Sequence, residues 1–433
     1  MSSELAVAAE SASPPAEWWR RLRRPAYWMP VADTSAVLTA LSLPWSTSLV
    51  GIFALLWLGS AALVVDYPVY FRSLKQPICA LPLAIFALAA IGTLWSDASW
   101  AARLHSVAPY AKFLLLPGLL HYFGRSSRGT WVFVAFLISS TLMMVMSWIT
   151  ALEPAFTLKP LAERVCGVFV KNYIDQGQEF SLCAVALAYP IMTLLKEGKR
   201  WQAGVLIAIA LGLVLNMVFV IASRTAQATI PLLLALFALR YLNWRSTIVL
   251  GVVTLVGVSL WAVMPRMCRT VETLSRDLTL YEQKNVPTSA GLRLEYWKKS
   301  IQFIAQAPFA GHGTGSIRGL FQKAATGDPM EASGHVIANP HNQTLHTAIQ
   351  WGLIGSVLLY LMWLSHLLLF RGEGLVAWIG SLVVVQNMLT SLFNSHIVDF
   401  HAGWMYVLGV GVAGGMVLKS RADLPATGPV NAR

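Results

Sequence analysis

The chain has too little charge for a soluble protein of its length: Asp, Glu, Lys and Arg together make up 12% of its 433 residues. Hydrophobic residues account for 56% and the mean hydropathy is +0.60. The solvent this sequence is built for is therefore a bilayer, in which a segment must satisfy its own backbone. Several motifs are missing as well. There is no HExxH pattern, and His335, His341 and His346 have no carboxylate at ligand spacing among them, so no metal site is expected. No glycine loop precedes a strand to cradle a nucleotide phosphate, no heptad run indicates a coiled coil, and no internal repeat is evident. No basic patch interleaved with aromatics stands apart from the apolar runs, which argues against nucleic acid as a partner. Cysteine is sparse, at four residues. Cys79 and Cys183 lie at or in apolar runs; Cys166 and Cys268 fall outside them and could pair in an oxidising compartment, a proximity that spacing alone does not establish.

What the sequence has in abundance is apolar runs of membrane length. They fall at Tyr27–Ser42 (marginal, because it contains Asp33), Thr47–Val65, Ile78–Trp95, Val107–Phe123, Trp131–Ala151, Phe180–Leu195, Ala203–Ile221, Ala222–Tyr241, Thr247–Met264, Thr344–Phe370, Leu375–Phe393 and Ala402–Leu418. The expected fold is all-α, a polytopic integral membrane protein of about twelve helices. Ala203–Leu239 would be about 55 Å long as one helix against a core of roughly 30 Å, so it must fold back, and Ser223-Arg224-Thr225 is its polar place to turn.

The polar start of the chain ends in Arg20-Arg21-Leu22-Arg23-Arg24, and no short apolar region with a small-residue cleavage site follows, so a retained cytoplasmic amino terminus is expected. Loops then assigned to the cytoplasm carry ten basic residues (Arg72, Lys75, Arg125, Arg128, Lys196, Lys199, Arg200, Arg240, Arg245, Arg371) against five in the short outer loops (Arg103, Lys159, Arg164, Lys171, Arg224). That asymmetry supports both termini inside. The expected organisation is a cytoplasmic tail (1–26), a first set of helices (27–264), a large outer loop (265–343), three further helices (344–418) and a second cytoplasmic tail (419–433). The formal charge of +12 is read as orientation and contact with anionic membrane lipids.

The large outer segment has helical periodicity over Val271–Gln283 and Ala290–Ile304, divided by Pro287. In the second, Tyr296 and Trp297 follow Arg293 at i+3 and i+4, which suits an amphipathic helix on the membrane beside a pocket, with the two aromatics more simply read as interfacial anchors. Gly311-His312-Gly313-Thr314-Gly315 either approaches a ligand closely or forms a turn. The loop Glu153–Glu179 returns polar groups to an apolar context, consistent with lining a cavity. An arginine inside an apolar hairpin is costly unless paired or wet, so Arg224 is a candidate anion site, with snorkelling as the competing reading. Lys112 poses the same question and could equally reach the outer interface.

Chemistry is expected at Asn339-Pro340-His341-Asn342-Gln343, ahead of the run Thr344–Phe370. Asn339 is read as the cap and Pro340 as part of the first turn, placing His341 and Asn342 at the positive end of the helix dipole, a setting that attracts phosphate and favours a neutral, basic imidazole. Gly352 and Gly355 fall near the His341 face, where small residues would let another helix approach. The competing reading of His341 is a capping or interfacial histidine.

His341-Asn342, nine intervening residues, then Gly352-Leu353-Ile354-Gly355 resembles the signature of the bacterial O-antigen ligases, and the apolar spans with one large loop before the motif are similar as well. O-antigen polymerases and protein O-oligosaccharyltransferases share parts of this architecture. The resemblance implies transfer of a finished polysaccharide from undecaprenyl diphosphate to the lipid A-core oligosaccharide at the periplasmic face of the inner membrane, without cofactor. It implies His341 as the catalytic base, and Arg224, Arg293 and, less directly aligned, Arg164 as holders of the donor diphosphate. Asn342, Tyr296, Trp297, Gly352 and Gly355 would support them. A lipid-linked glycan flippase or transporter is the non-enzymatic alternative, though such a protein should place its charges near mid-membrane.

Overall fold

The structure, a computed structural model, describes residues 24–160, 165–221, 223–262 and 265–423. Every regular element among them is helical, and the chain is a polytopic helical membrane protein. Each of the twelve apolar runs contains helix among the described residues, and six helices are by themselves long and apolar enough to cross a membrane: Thr47–Val64, Gly129–Leu152, Tyr173–Lys196, Arg200–Phe219, Gln343–Leu369 and Phe400–Ala422. The pair Tyr67–Ser73 and Pro77–Ile91 is bent by 78° at its break. The long apolar hairpin does fold back: one helix ends at Phe219 and the next starts at Arg224.

Phe400–Ala422 is the central helix, with 83% of its apolar window buried, whereas Arg200–Phe219, at 22%, lies at the periphery. Close approach is what buries it. A Cβ at Gly411 would come within 2.5 Å of Leu119, and one at Gly414 within 2.4 Å of Leu120, so the Leu115–Phe123 helix lies directly on this small-residue stripe. Trp378, Trp363 and Tyr406 fill the adjoining core.

Polar contacts gather the connecting segments at two ends. At one, Tyr122 and Ser126 donate to buried Asp33, Arg125 pairs with Asp66 at 3.2 Å, Lys419 donates to the Arg125 carbonyl, Arg421 to Leu369 and Arg240 to Phe370 and Gly372. At the other end Lys171 reaches the Leu43 carbonyl, Asp175 meets His401 at 2.7 Å, and the segment before Gln343 lies against residues 391–397.

Three expectations need correction. Val107–Phe123 is not one continuous span: a 3-10 turn over Ala108–Leu114 separates two helices, and it delivers Lys112 to the Asp399 carbonyl at 2.8 Å instead of to the outer interface. The span expected to open at Phe180 starts at Tyr173, because the Asn172 side chain accepts from Ile174 and Asp175 and caps it; Asp175, Gln176, Gln178 and Glu179 are buried helical residues, not loop. The third correction concerns Gly352 and Gly355. Gly352 (φ 58°, ψ −145°) interrupts its helix and admits the 307–313 segment as a strap. His312 and Gly313 donate to the Ile349 and Gln350 carbonyls at 2.9 and 2.8 Å, and Leu353 and Ile354 donate back to Pro308 and Phe309 at 2.8 and 3.3 Å. The glycine-rich stretch is thus a structural splice: Thr314 goes on to bond Gly92, Ala89 and Trp351. Gly355 packs against its own turn, where a Cβ would come within 2.7 Å of Trp351.

Candidate functional site

The helix after the histidine motif begins later than the sequence implies. Its cap is Asn342, whose side chain accepts from Leu345 at 3.0 Å and donates to the Leu392 carbonyl at 3.1 Å; Gln343 is the first helical residue. Asn339 and Pro340 therefore lie outside it. Asn339 Oδ1 instead accepts the His341 N–H at 2.9 Å and the Ser395 hydroxyl at 2.7 Å. His341 itself is held at φ 54°, a left-handed conformation that a non-glycine residue adopts only when its surroundings enforce it. It precedes the first turn, half-buried, instead of lying on it.

The imidazole has defined neighbours. Its Nδ1 lies 3.0 Å from Asn394 Oδ1, and the Asn394 amide nitrogen donates to Asp399 Oδ2 at 2.7 Å. The same carboxylate oxygen is 3.1 Å from His396 Nδ1. Across the ring lies Tyr296, with centroids 6.3 Å apart and planes tilted by 30°. Tyr296 is not an interfacial anchor: it is buried, its hydroxyl bonds His335 Nδ1 at 2.8 Å, and burial pushes its pKa up to about 12. Trp297 likewise points inward and donates to the Pro340 carbonyl at 3.2 Å. The Ser289–Gln306 helix, capped by Thr288 as its N-terminal sequence dictates, is thereby fastened over the histidine loop.

Arg293 stands one turn before these two aromatics on the same helix face and is half-buried. Arg224 is exposed at the start of its helix, beside Ser223; a Cβ at Gly177 would come within 2.5 Å of the Ser223 hydroxyl. Because Asp175 on that neighbouring helix pairs with His401, two residues after Asp399, Arg224 belongs to the same end of the bundle as His341. Among the described residues neither Arg224 nor Arg293 makes a hydrogen bond or ion pair. Arg164 lies outside the described residues, as does the side chain of Cys268; Cys166 is free and exposed.

Beneath this end a cavity of about 260 Å³ runs between the helices, lined by Phe133, Phe136, Leu137, Leu182, Val383 and Met405 among other apolar groups. A smaller one, which shares Leu182, Val383 and Met405 with it, carries Gln178, Gln386, Asn387 and Thr390.

The sequence reading missed Asn394 and Asp399. The signal was present in Asn394-Ser395-His396-Ile397-Val398-Asp399, a polar cluster confined between two apolar runs. Its members gain meaning only from their contact with a loop more than fifty residues earlier.

Two comparisons bear on this arrangement. A stretch of 133 residues is 25% identical to an uncharacterized protein of Haemophilus influenzae, covering 30% of this chain and 33% of that one, so the chain matches about a third of that relative's length. Residues 207–360, the stretch that carries Arg224, Arg293, His341 and Gly352, match the family model described as O-antigen ligase.

Proposed function

We propose that this protein is an O-antigen ligase, a glycosyltransferase that moves polysaccharide from undecaprenyl diphosphate to a hydroxyl of the lipid A-core oligosaccharide at the periplasmic face of the inner membrane. The observation that carries the reading is a half-buried histidine, oriented through one ring nitrogen, at the end of the bundle that also holds two arginines with no hydrogen bond or ion pair among the described residues. Such a pair of features divides the labour of this reaction. The bond from the anomeric carbon to the diphosphate oxygen breaks, the acceptor oxygen bonds that carbon from the opposite face, and the acceptor proton passes to His341. The anomeric centre inverts. The diphosphate departs with its electron pair as an anion, which Arg224 and Arg293 hold by bidentate charge-assisted bonds; Arg164 is a third holder. A diphosphate is a good leaving group, so neither strong acid nor metal is required of the protein. The apolar cavity suits the isoprenoid chain of the donor.

The test is transfer from purified undecaprenyl-diphosphate-linked glycan to purified lipid A-core, without nucleotide or added metal. Wild-type protein forms product and is indifferent to EDTA. His341→Ala loses about a hundred- to ten-thousand-fold in rate, the range of general base catalysis, while still binding donor. Unchanged activity in that variant returns His341 to a structural role. Glycan and protein acceptors run in parallel distinguish an O-antigen polymerase or protein O-oligosaccharyltransferase, and glycan movement across proteoliposomes without transfer identifies a flippase or transporter.

A further inference from the structure

We infer that Asp399, acting through the Asn394 amide, fixes His341 in the tautomer whose Nδ1 carries the proton, so that Nε2 is the atom that receives the acceptor's proton. The inference rests on the reading of His341 as the base. It follows from the direction of the hydrogen bonds. A carboxylate only accepts, so the amide nitrogen of Asn394 must face Asp399 Oδ2, at 2.7 Å. The amide oxygen then faces His341 Nδ1, at 3.0 Å, and an amide oxygen also only accepts. Nδ1 must therefore supply the proton of that bond, which leaves the lone pair of a neutral imidazole on Nε2.

The rest of the segment is built to hold this relay still. His396 Nδ1 lies 3.1 Å from the same Asp399 oxygen, and buried Lys112 donates to the Asp399 main-chain carbonyl at 2.8 Å. Asn339 Oδ1 takes both the His341 N–H and the Ser395 hydroxyl, tying the histidine backbone to the residue next to Asn394. Asn394 and Asp399 are positioning residues: neither needs to touch substrate, and each acts by deciding which nitrogen of His341 is basic. Loss of the wrong-tautomer barrier costs rate without costing binding.

Exchanging the two partners tests this in the full-length protein in nanodiscs. Asp399→Asn removes the fixed acceptor and is expected to lower kcat about 10- to 100-fold with KM for both lipid substrates unchanged. Adding Asn394→Asp to that variant restores the bond directions, with a carboxylate now accepting the hydrogen bond from His341 Nδ1–H and the new amide donating to that carboxylate, and should recover most of kcat. The same exchange moves the acidic limb of the pH profile upward, because a carboxylate beside the ring favours imidazolium. The other titratable groups around the site, Lys112, Tyr296, His335, His346 and His396, are unaltered, and the summed charge of the exchanged pair is unchanged. Wild-type kcat in Asp399→Asn, or a double variant no better than the single, overturns the proposal.

Long-range proton–nitrogen NMR of histidine-labelled protein, with His341→Gln for assignment, reads the tautomer without any substrate. An Nδ1-protonated His341 supports the relay, and an Nε2-protonated one refutes it even if Asp399→Asn fails to fold. A wild-type protein inactive on every acceptor but Nδ1-protonated at His341 would separate failure of the base reading from failure of the relay.

Discussion

Gly352→Ala should destabilise the protein far more than an alanine in a helix ordinarily does, for reasons that can be counted. The backbone at 352 (φ 58°, ψ −145°) lies in a region reserved for glycine, where a side chain costs on the order of 1–3 kcal/mol. The added Cβ would also lie 2.5 Å from the Phe309 carbonyl carbon and 2.6 Å from the Pro308 oxygen, main-chain atoms that cannot swing away. Relief requires the 307–313 strap to retreat, which endangers four interlocking backbone bonds to residues 349–354. Each is worth about 0.5–1.5 kcal/mol net, and more where the freed group stays buried. Strain and two lost bonds together come to about 2–6 kcal/mol. Thermal unfolding followed by intrinsic fluorescence in detergent should therefore show a midpoint lower by at least about 2 °C. Gly51→Ala is the control, because its Cβ meets nothing within 4 Å and alanine is the better helix former by about 0.5–1 kcal/mol. A Gly352→Ala midpoint within about 1 °C of wild type would refute the account of the kink.

The remaining expectations concern single side chains. Arg224→Ala and Arg293→Ala should each raise KM for the diphosphate donor, and Arg293→Lys should rescue poorly, since an ammonium does not reproduce bidentate contact; equal donor affinity in all three, measured by titration, would remove the arginines from the donor site. Tyr296→Phe should lose about 0.5–1.5 kcal/mol with the bond to His335 Nδ1, and Tyr296→Ala about 3–5 kcal/mol as the buried ring over His341 disappears, both read from unfolding midpoints. The Val69 N–H, and then Arg125, hold the Asp66 carboxyl below the ordinary carboxylate range. Its contribution is thus present at neutral pH and is lost as the pH falls through that lowered value; Asp66→Asn, which keeps the cap, should flatten the acid limb of stability against pH.

The sequence by itself determined the helical class, the approximate position of most apolar helices, the reversal at Ser223-Arg224 and the histidine motif. These are local consequences of a bilayer solvent: an apolar run must satisfy its own backbone, and a run too long for the membrane must turn at its polar residues. The two helices either side of Pro287 were legible for the same reason, from periodicity and a breaker. Tertiary structure alone decided where polar side chains find partners. Asn339 seemed a cap by position, yet Asn342 caps, because Asn339 is taken by Ser395 and by the His341 backbone. Gly352 seemed a small residue for helix contact and proved to be a break, because carbonyls from residues 308–309 complete the hydrogen bonds the helix gives up there. Tyr296 seemed an anchor in lipid and became a wall of the site once Trp297 met Pro340. Membrane-length segments are specified residue by residue, but a buried polar group must pair with whatever distant segment packing brings to it, and for His341 that is Asn394 and Asp399.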